Sequence, residues 1–185
     1  MKWYLISRRD NPNGAWKALR LDKKGLSMPG RFDAHDVRIL SALQGDARLT
    51  VAQLAERVHL STSPTWRRVK RLEDANVIAG YQAKLDRRAL GWGVLAFVMV
   101  SIGDHSDAEA RAFETAVAGL PEIVACWSIA GSSDFLLQVV GRDLDTYAEF
   151  AMTTLRRLPG IKEMQTIFTL KEVKAPVPWP IPEVT

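Results

Sequence analysis

The chain has 185 residues, a formal net charge of +4 and 47% hydrophobic side chains, enough for one or two small domains. Its single cysteine, Cys126, excludes an internal disulfide and favours a reducing compartment. No apolar run reaches the ~20 residues of a membrane-spanning helix, and the first residues lack the apolar core of a secretory signal. We therefore expect a cytoplasmic protein with no membrane partner.

Positive charge is concentrated in the N-terminal half. Residues 1–28 carry seven Lys and Arg against two Asp and Glu, residues 29–91 eleven against seven, and residues 92–185 seven against twelve. This asymmetry is typical of a nucleic-acid-binding module joined to a domain that does not contact nucleic acid. Residues 1–28 show no sustained apolar periodicity. They are either a disordered or non-native extension, with Met28 as the true initiator, or a basic arm that lies along DNA.

Two short amphipathic helices are predicted next. The first runs from Asp33, a plausible N-cap, to about Gln44. The second begins where Thr50 and Gln53 form a capping box and carries apolar residues at helical spacing. A tight turn separates it from a third helix, and this arrangement predicts a helix-turn-helix.

The third helix has an apolar side and a cationic side. It begins at Ser61, and Trp66, Val69 and Leu72 are predicted to face inward. Its start is expected to enter a major groove, where short polar side chains reach base edges while the cations mostly meet phosphates. The alternative is that the cations form only a solvated helix face. The candidate DNA-binding residues are Ser61, Thr62, Ser63, Thr65, Arg67, Arg68, Lys70 and Arg71.

The second half of the chain predicts the order β-α-β-β-α-β. Strands are expected at residues 93–102, 122–130, 134–141 and 161–173, with helices capped by Ser106 and Asp143 between them. This is the ferredoxin-like arrangement, a four-stranded antiparallel sheet with two helices on one face. The other face is expected to be buried against a second copy of the chain. The apolar side chains that supply the two faces are Val98, Val100, Trp127, Ile129 and Phe168.

The fold class is therefore α+β, with two domains. A helix-turn-helix (winged-helix-like) DNA-binding domain spans residues 29–81, a linker residues 82–92 and a ferredoxin-like domain residues 93–174. The proline-rich tail, residues 175–185, is expected to lie in extended form against a neighbouring surface.

Several different short motifs occur in a fixed order along residues 32–174. They are Leu60-Ser61-x-x-Pro64, Arg68-Val69-x-Arg71-Leu72-Glu73, Ile78-x-Gly80-Tyr81, Gly131-x-x-Asp134-Phe135 and Leu158-Pro159-Gly160. Together they resemble the Lrp/AsnC (feast/famine) family of prokaryotic transcriptional regulators. The resemblance implies a regulator bound to double-stranded DNA near the nucleoid. It also implies a homodimer that assembles further, as a tetramer or octamer, and senses an amino acid between subunits.

The resemblance places the effector site at the turn before Asp134 and at neighbouring strand ends. A glycine turn lets backbone N–H groups approach a ligand carboxylate, and Asp134 is a candidate partner for an α-ammonium group. The alternative is that Asp134 only caps the turn. The candidate effector-binding residues are Trp127, Ser128, Gly131, Ser132, Ser133, Asp134, Thr166 and Phe168.

Catalytic signals are weak. The three histidines lie in separate segments without metal-ligand or triad spacing, and Cys126 lies in an apolar strand, where a buried, inert thiol is expected. We expect no enzyme activity, no metal and no cofactor other than an amino-acid effector. Two alternatives to a ligand-responsive regulator stay open: a DNA-architectural protein without ligand control, and an amino-acid-binding regulatory subunit of an enzyme.

Overall fold

A computed structural model describes residues 4–7, 17–20, 32–103 and 107–181. These residues divide into two units. Residues 4–7, 17–20, 32–84 and 174–181 belong to a mainly helical unit, and the intervening described residues, 85–103 and 107–173, form an α+β unit. The chain thus leaves the helical unit after residue 84 and returns to it at residue 174. No helix in these ranges is long and apolar enough to cross a membrane.

The helical unit contains α1 (Ala34–Gly45), α2 (Val51–Arg57) and α3 (Thr62–Asp74). Both predicted N-caps are confirmed. Asp33 accepts from the backbone N–H groups of His35 and Asp36, and Thr50 forms the predicted capping box with Gln53. Ser61 is the N-cap residue of α3, but its side chain makes no capping hydrogen bond.

A Schellman motif makes the turn between α2 and α3 tight. His59 has a φ of 56°, in the left-handed region, and the N–H of Leu60 donates to the carbonyl of Ala55 at 3.0 Å. The three helices then pack around a core of four buried side chains, each at most 2% exposed. This core consists of Ile39, Leu54, Val58 and Leu72.

A short antiparallel ladder, β1 (Tyr4–Ser7) with β2 (Lys17–Arg20), precedes the helices. The sequence predicts no regular element in these residues, and the ladder shows that this prediction is wrong. Strands of four residues are too short for their alternation to stand out from the surrounding polar residues. The other residues of the predicted basic extension lie outside the described part.

The α+β unit has the predicted ferredoxin-like order. Its elements are β3 (Val94–Ile102), α4 (Asp107–Ala118), β4 (Ile123–Ser128), β5 (Phe135–Gly141), α5 (Leu144–Thr153), a 3-10 turn (Leu155–Arg157) and β6 (Ile161–Phe168). The sheet has the strand order β4-β5-β3-β6, with every neighbouring pair antiparallel. Asp143 caps α5 as predicted, whereas Ser106, the predicted cap of α4, lies outside the described residues. The last strand ends at Phe168 and does not extend to residue 173.

The two helices cover one face of this sheet. Val98, Val100 and Leu137 lie on that face and are completely buried against side chains such as Phe113. Phe168 is on the same face, since it pairs with buried Ala96 across β3 and β6.

The opposite side of the sheet carries the residues between these positions, and we call it the open face. The register places Phe97 and Ile167 opposite each other there, and likewise Trp127 and Leu136. Trp127 is 45% exposed and Ile167 46% exposed, so apolar surface lies uncovered on the protomer. The predicted apolar open face is therefore present, with Trp127 as one of its largest members.

Candidate nucleic-acid interface and effector region

The start of α3 presents short polar side chains to solvent. Ser61, Thr62 and Ser63 are all exposed, as the prediction of base contacts requires. The first N–H groups of a helix lack intrahelical partners and carry the positive end of its dipole. This end of α3 therefore combines hydroxyl groups, backbone donors and a favourable potential for a polyanion.

Thr65 does not share this surface. Its side chain is completely buried, and its hydroxyl donates to the carbonyl of Ser61, four residues earlier, at 2.9 Å. The prediction that Thr65 offers a hydrogen bond to base edges is therefore wrong. A β-branched residue that satisfies its own hydroxyl within the helix packs inward like an apolar one.

Two of the predicted phosphate-binding cations are held by α1. Asp36 is 1% exposed and accepts from both of them. Its Oδ1 lies 2.9 Å from Arg68 Nη1, and its Oδ2 lies 2.6 Å from Arg71 Nη2. Asp33 adds a second carboxylate, with Oδ2 2.6 Å from Arg68 Nη1. We call these four residues the Asp36 network.

The Asp36 network changes the roles of both arginines. The Arg68 side chain is only 26% exposed and lies between two carboxylates, an arrangement that favours a structural role over the predicted phosphate contact. The Arg71 side chain is 59% exposed, and it can present the rest of its guanidinium outward while one nitrogen binds Asp36. Arg68 positions α3 against α1. Arg71 binds Asp36 with one nitrogen and keeps its other N–H groups at the surface.

The titration of the network follows from these contacts. Burial raises the pKa of Asp33, but hydrogen bonds from the Asp36 N–H and the Arg68 guanidinium outweigh it and leave the pKa below its ordinary value. The hydrogen bond to Asp33 is the main reason that the pKa of Arg68 lies above its ordinary value. Both groups are therefore charged wherever the protein is folded near neutral pH.

Arg67 and Lys70 remain available to a polyanion. Arg67 is exposed and makes no ion pair with any residue that the structure describes. Lys70 Nζ lies 3.1 Å from Asp74 Oδ1, but both side chains are at least half exposed, and such pairs contribute little. These two cations flank the hydroxyl-bearing start of α3 on its outward side.

Trp66 lies on the edge of this surface, contrary to the prediction that it faces inward. Its side chain is 56% exposed, whereas Thr65 and Leu72 are buried. The inward stripe of α3 runs through Thr65, Arg68, Val69 and Leu72, at the spacing i, i+3, i+4 and i+7. The polarity of Thr65 and Arg68 indicates surface positions, but both side chains have hydrogen-bond partners within the helical unit.

The turn before Asp134 is fixed by backbone contacts. The Oδ2 of Asp134 accepts from the N–H of Ile102 at 2.9 Å, and its own N–H donates to the carbonyl of Val100 at 2.9 Å. Its carbonyl accepts from the N–H of Ile129, also at 2.9 Å. Asp134 therefore ties the β4–β5 turn to the end of β3, which supports the turn-cap alternative and also holds its carboxylate in place.

The predicted effector residues do not converge within one protomer. Trp127 and Ser128 lie at the end of β4, beside the turn that contains Gly131, Ser132 and Ser133. Thr166 and Phe168 lie on β6, the opposite edge strand. They also lie on the helix-covered face, where Thr166 Oγ1 is 2.8 Å from Tyr147 Oη and the Phe168 ring is 5.1 Å from that of Tyr147. Within one protomer they therefore lie apart from Trp127, on the other face of the sheet.

Cys126 behaves as the sequence predicts. Its thiol packs against the core of the α+β unit, and burial, with a smaller effect of Glu114, raises its pKa to about 12. A thiol with such a pKa contains almost no reactive thiolate near neutral pH.

Comparison with known proteins gives consistent matches for both units. Residues 32–79 match the winged helix-turn-helix DNA-binding family, and residues 95–179 match the Lrp/AsnC ligand binding domain. The chain is 42% identical over 143 residues to the leucine-responsive regulatory protein of Rhizobium meliloti, covering 77% of this chain and 92% of the relative. It is 36% identical over 150 residues to the DNA-binding transcriptional activator DecR of Escherichia coli, covering 81% and 99%.

A solved structure has the same fold. It is a transcriptional regulator of Neisseria meningitidis, determined as a complex with L-methionine. The TM-score is 0.76 at 37% identity, and the match covers 80% of this chain and 96% of the other.

Proposed function

The chain belongs to the Lrp/AsnC family of DNA-binding transcriptional regulators, and from this premise we propose which of its surfaces meet DNA, a second copy of the chain and an amino acid. The observation that carries the proposal is the division of α3 into an inward stripe fixed by the Asp36 network and an outward surface of hydroxyls and cations. Because DNA is its proposed target, we propose that the protein lies in the cytoplasm at the nucleoid.

The DNA-binding surface consists of the start and outward side of α3. Ser61, Thr62 and Ser63 meet base edges in a major groove, because their side chains are short and lie where the helix end is most positive. Arg67 and Lys70 meet phosphates, which fix register and orientation without reading sequence. Arg71 contributes its outward N–H groups, Arg68 acts only through its hold on α1, and Thr65 takes no part.

The open face is the proposed dimer interface. It carries uncovered apolar side chains, including Trp127 and Ile167, and a second copy of the same sheet would bury them on both sides. Two copies supply two α3 helices for two half-sites, spaced roughly 34 Å or a multiple of this distance. The resemblance to the family supports further association into tetramers or octamers.

The effector is proposed to be a free amino acid that binds at the turn before Asp134, where a neighbouring subunit completes the site. The turn backbone faces the carboxylate of the ligand, and Asp134, which Ile102 holds in place, faces its ammonium group. Trp127 and Ser128 border the turn and contact the ligand side chain. The L-methionine complex of the Neisseria meningitidis relative supports an amino acid as the ligand class. Thr166 and Phe168 are not part of this site.

Isothermal titration with a panel of L-amino acids, followed by gel shifts with and without each binder, tests the proposal. At least one amino acid should bind and should change the affinity for operator DNA about 5- to 150-fold, the usual range of coupling between two sites. DNA binding that no amino acid affects would favour an architectural protein. Amino-acid binding without salt-sensitive DNA binding would favour a regulatory subunit of an enzyme.

Asp134→Asn separates the two roles of Asp134. Asparagine keeps a carbonyl oxygen for the Ile102 N–H but has no charge for an ammonium group. We expect amino-acid affinity to fall at least tenfold, because a charge-assisted hydrogen bond is lost, while DNA affinity without ligand stays unchanged. Titration calorimetry and gel shifts measure both quantities, with Asp145→Asn, which removes an exposed carboxylate on α5 outside the proposed site, as the matched control. Unchanged amino-acid affinity in Asp134→Asn would leave the carboxylate with the turn-cap role alone.

A further inference from the structure

The helical unit has a mainly apolar groove beside the proposed DNA surface, and Lys70 borders both. It runs between Leu43 of α1, Val51 of α2 and Trp66 of α3, and Tyr81 closes it after α3. Its volume is about 250 Å³, enough for one large aromatic side chain. Trp66 is 56% and Tyr81 50% exposed, so two aromatic rings line a concave surface that is open to solvent. We call this the aromatic groove.

One wall of the aromatic groove is fixed by a hydrogen bond. The hydroxyl of Tyr81 donates to Glu73 Oε1 at 3.0 Å. Burial, with smaller effects of this bond and of the Glu73 charge, raises the pKa of Tyr81 to about 12. The phenol therefore keeps its proton over the whole physiological range, and the ring stays tied to α3.

The tail has the chemistry of a groove ligand. Proline recurs at every second position from Pro176 to Pro182, with Val177 and Trp179 between them. Such a segment lacks most backbone donors and has φ fixed by the proline rings, so it favours an extended polyproline conformation. Val177 is 61% exposed and Trp179 84% exposed. Proline-rich segments bind aromatic-lined grooves because they lose little conformational entropy on docking.

The structure places this tail against α1, one of the helices that form the groove. Gln44 Nε2 donates to the backbone carbonyl of Trp179 at 3.1 Å. Gln44 is the neighbour of Leu43, which lines the groove, and the tail belongs to the same unit as the three helices. Ala175 and Ile181 are partly buried, while the indole between them stays in solvent.

We propose that the aromatic groove is a docking site for the proline-rich tail of the same chain, with the indole of Trp179 as the group that enters it. Three features single out this occupant. The backbone of the tail is already bound to α1, its exposed side chains are apolar like most of the groove, and its covalent attachment gives a high effective concentration. The proposal does not depend on the assignment of the DNA or effector surfaces.

Fluorine NMR of the full chain with 5-fluorotryptophan tests the proposal. The resonance of Trp66 is identified from its loss in Trp66→Phe. Removal of residues 175–185 should shift this resonance, because the ring loses its neighbour, and Trp179→Ala should reproduce most of the shift. Leu170→Ala is the matched control, since Leu170 is 95% exposed but precedes the tail. An unchanged Trp66 resonance after tail removal would overturn the proposal.

A synthetic peptide separates direct docking from an indirect effect. Unlabelled Ala-Pro-Val-Pro-Trp-Pro-Ile-Pro, added to the tail-less chain, should move the Trp66 resonance back toward its original position. The same peptide with alanine in place of its tryptophan should bind at least tenfold more weakly. Failure of the first peptide to restore the resonance would show that the tail acts elsewhere. A shift in the full-length chain that disappears on dilution would assign the tail to a second copy and contradict same-chain docking.

Discussion

Asp36 is the charged side chain that the described part of the molecule buries most completely. An isolated carboxylate in this position would be costly, but it accepts from Arg68, from Arg71 and from the backbone N–H of Asp33. Its contribution is therefore to position two helices against each other rather than to add much net stability. Removal of its charge would leave two guanidinium groups facing a neutral side chain.

We expect Asp36→Asn to lower the free energy of unfolding by roughly 2 kcal/mol. This is less than the 3–5 kcal/mol typical of a fully enclosed pair, because Arg71 is largely exposed and regains water. Urea denaturation followed by circular dichroism measures the loss. Asp74→Asn, which affects a surface pair with Lys70, is the matched control and should change the free energy little. Equal effects of the two substitutions would contradict a positioning role for Asp36.

Arg67→Ala should weaken binding to operator and to random DNA alike. One phosphate contact is lost, so the slope of log affinity against log salt should become less steep by about one unit. Gel shifts or fluorescence anisotropy over a range of salt concentrations provide the slope. Arg156→Ala, an exposed arginine of the α+β unit, should leave it unchanged. A slope equal to that of the parent protein would remove Arg67 from the phosphate-binding set.

Residue types predicted the DNA surface only in part. Ser61, Thr62, Ser63, Arg67 and Lys70 are exposed as expected, since short polar and cationic side chains at a capped helix start have few other partners. Thr65 and Arg68 were placed on the wrong side. Thr65 donates to the carbonyl of Ser61, whereas Arg68 donates to the carboxylates of Asp33 and Asp36. These two carboxylates lie more than 30 residues away from Arg68 in sequence.

At the scale of elements, the ends of helices were the most predictable features. The caps at Asp33, Thr50 and Asp143 depend on residues at most three positions apart, so a local pattern is sufficient to find them. The face on which a β6 residue lies depends instead on its register with β3. The pairing of Ala96 with Phe168 places Phe168 under the helices, and no pattern within β6 shows this.

The N-terminus of α1 should make the helical unit sensitive to acid. The folded pKa of Asp33 is lowered, so its charge stabilises the fold above the unfolded value of about 4, and this stabilisation is lost as pH falls through the lower folded pKa. Urea midpoints should therefore be higher for the parent than for Asp33→Asn at pH 7, and the difference should shrink toward pH 3. Asparagine keeps a capping oxygen, so the comparison isolates the charge. A difference independent of pH would point to geometry instead.

At the scale of the whole molecule, the open face is the surface proposed to form the dimer interface. An isolated protomer would expose Trp127 and Ile167 on the same face of the sheet, and exposed apolar patches usually mark interfaces. From α1 onward, the order of strands and helices was predicted because hydrophobic periodicity changes clearly between them. The sites formed by more than one element were not fully predicted, because they depend on how the elements pack against one another.

Ile167→Asp should shift the protein from dimer toward monomer. A carboxylate buried in an apolar interface has no partner and must lose water, which typically costs several kcal/mol. Analytical ultracentrifugation measures the change. Leu144→Asp is the matched control, because Leu144 is 61% exposed but lies on α5, away from the open face. A dimer that survives Ile167→Asp would place the interface elsewhere.

The return of residues 174–181 to the helical unit has a consequence for proteolysis. The exposed stretch at residues 82–86 is the natural place for a protease to nick the chain. Such a cut would divide the polypeptide into two fragments, and the larger would still carry the piece that belongs with the three helices. Denaturing electrophoresis should then show two bands, while native gel filtration shows a single species.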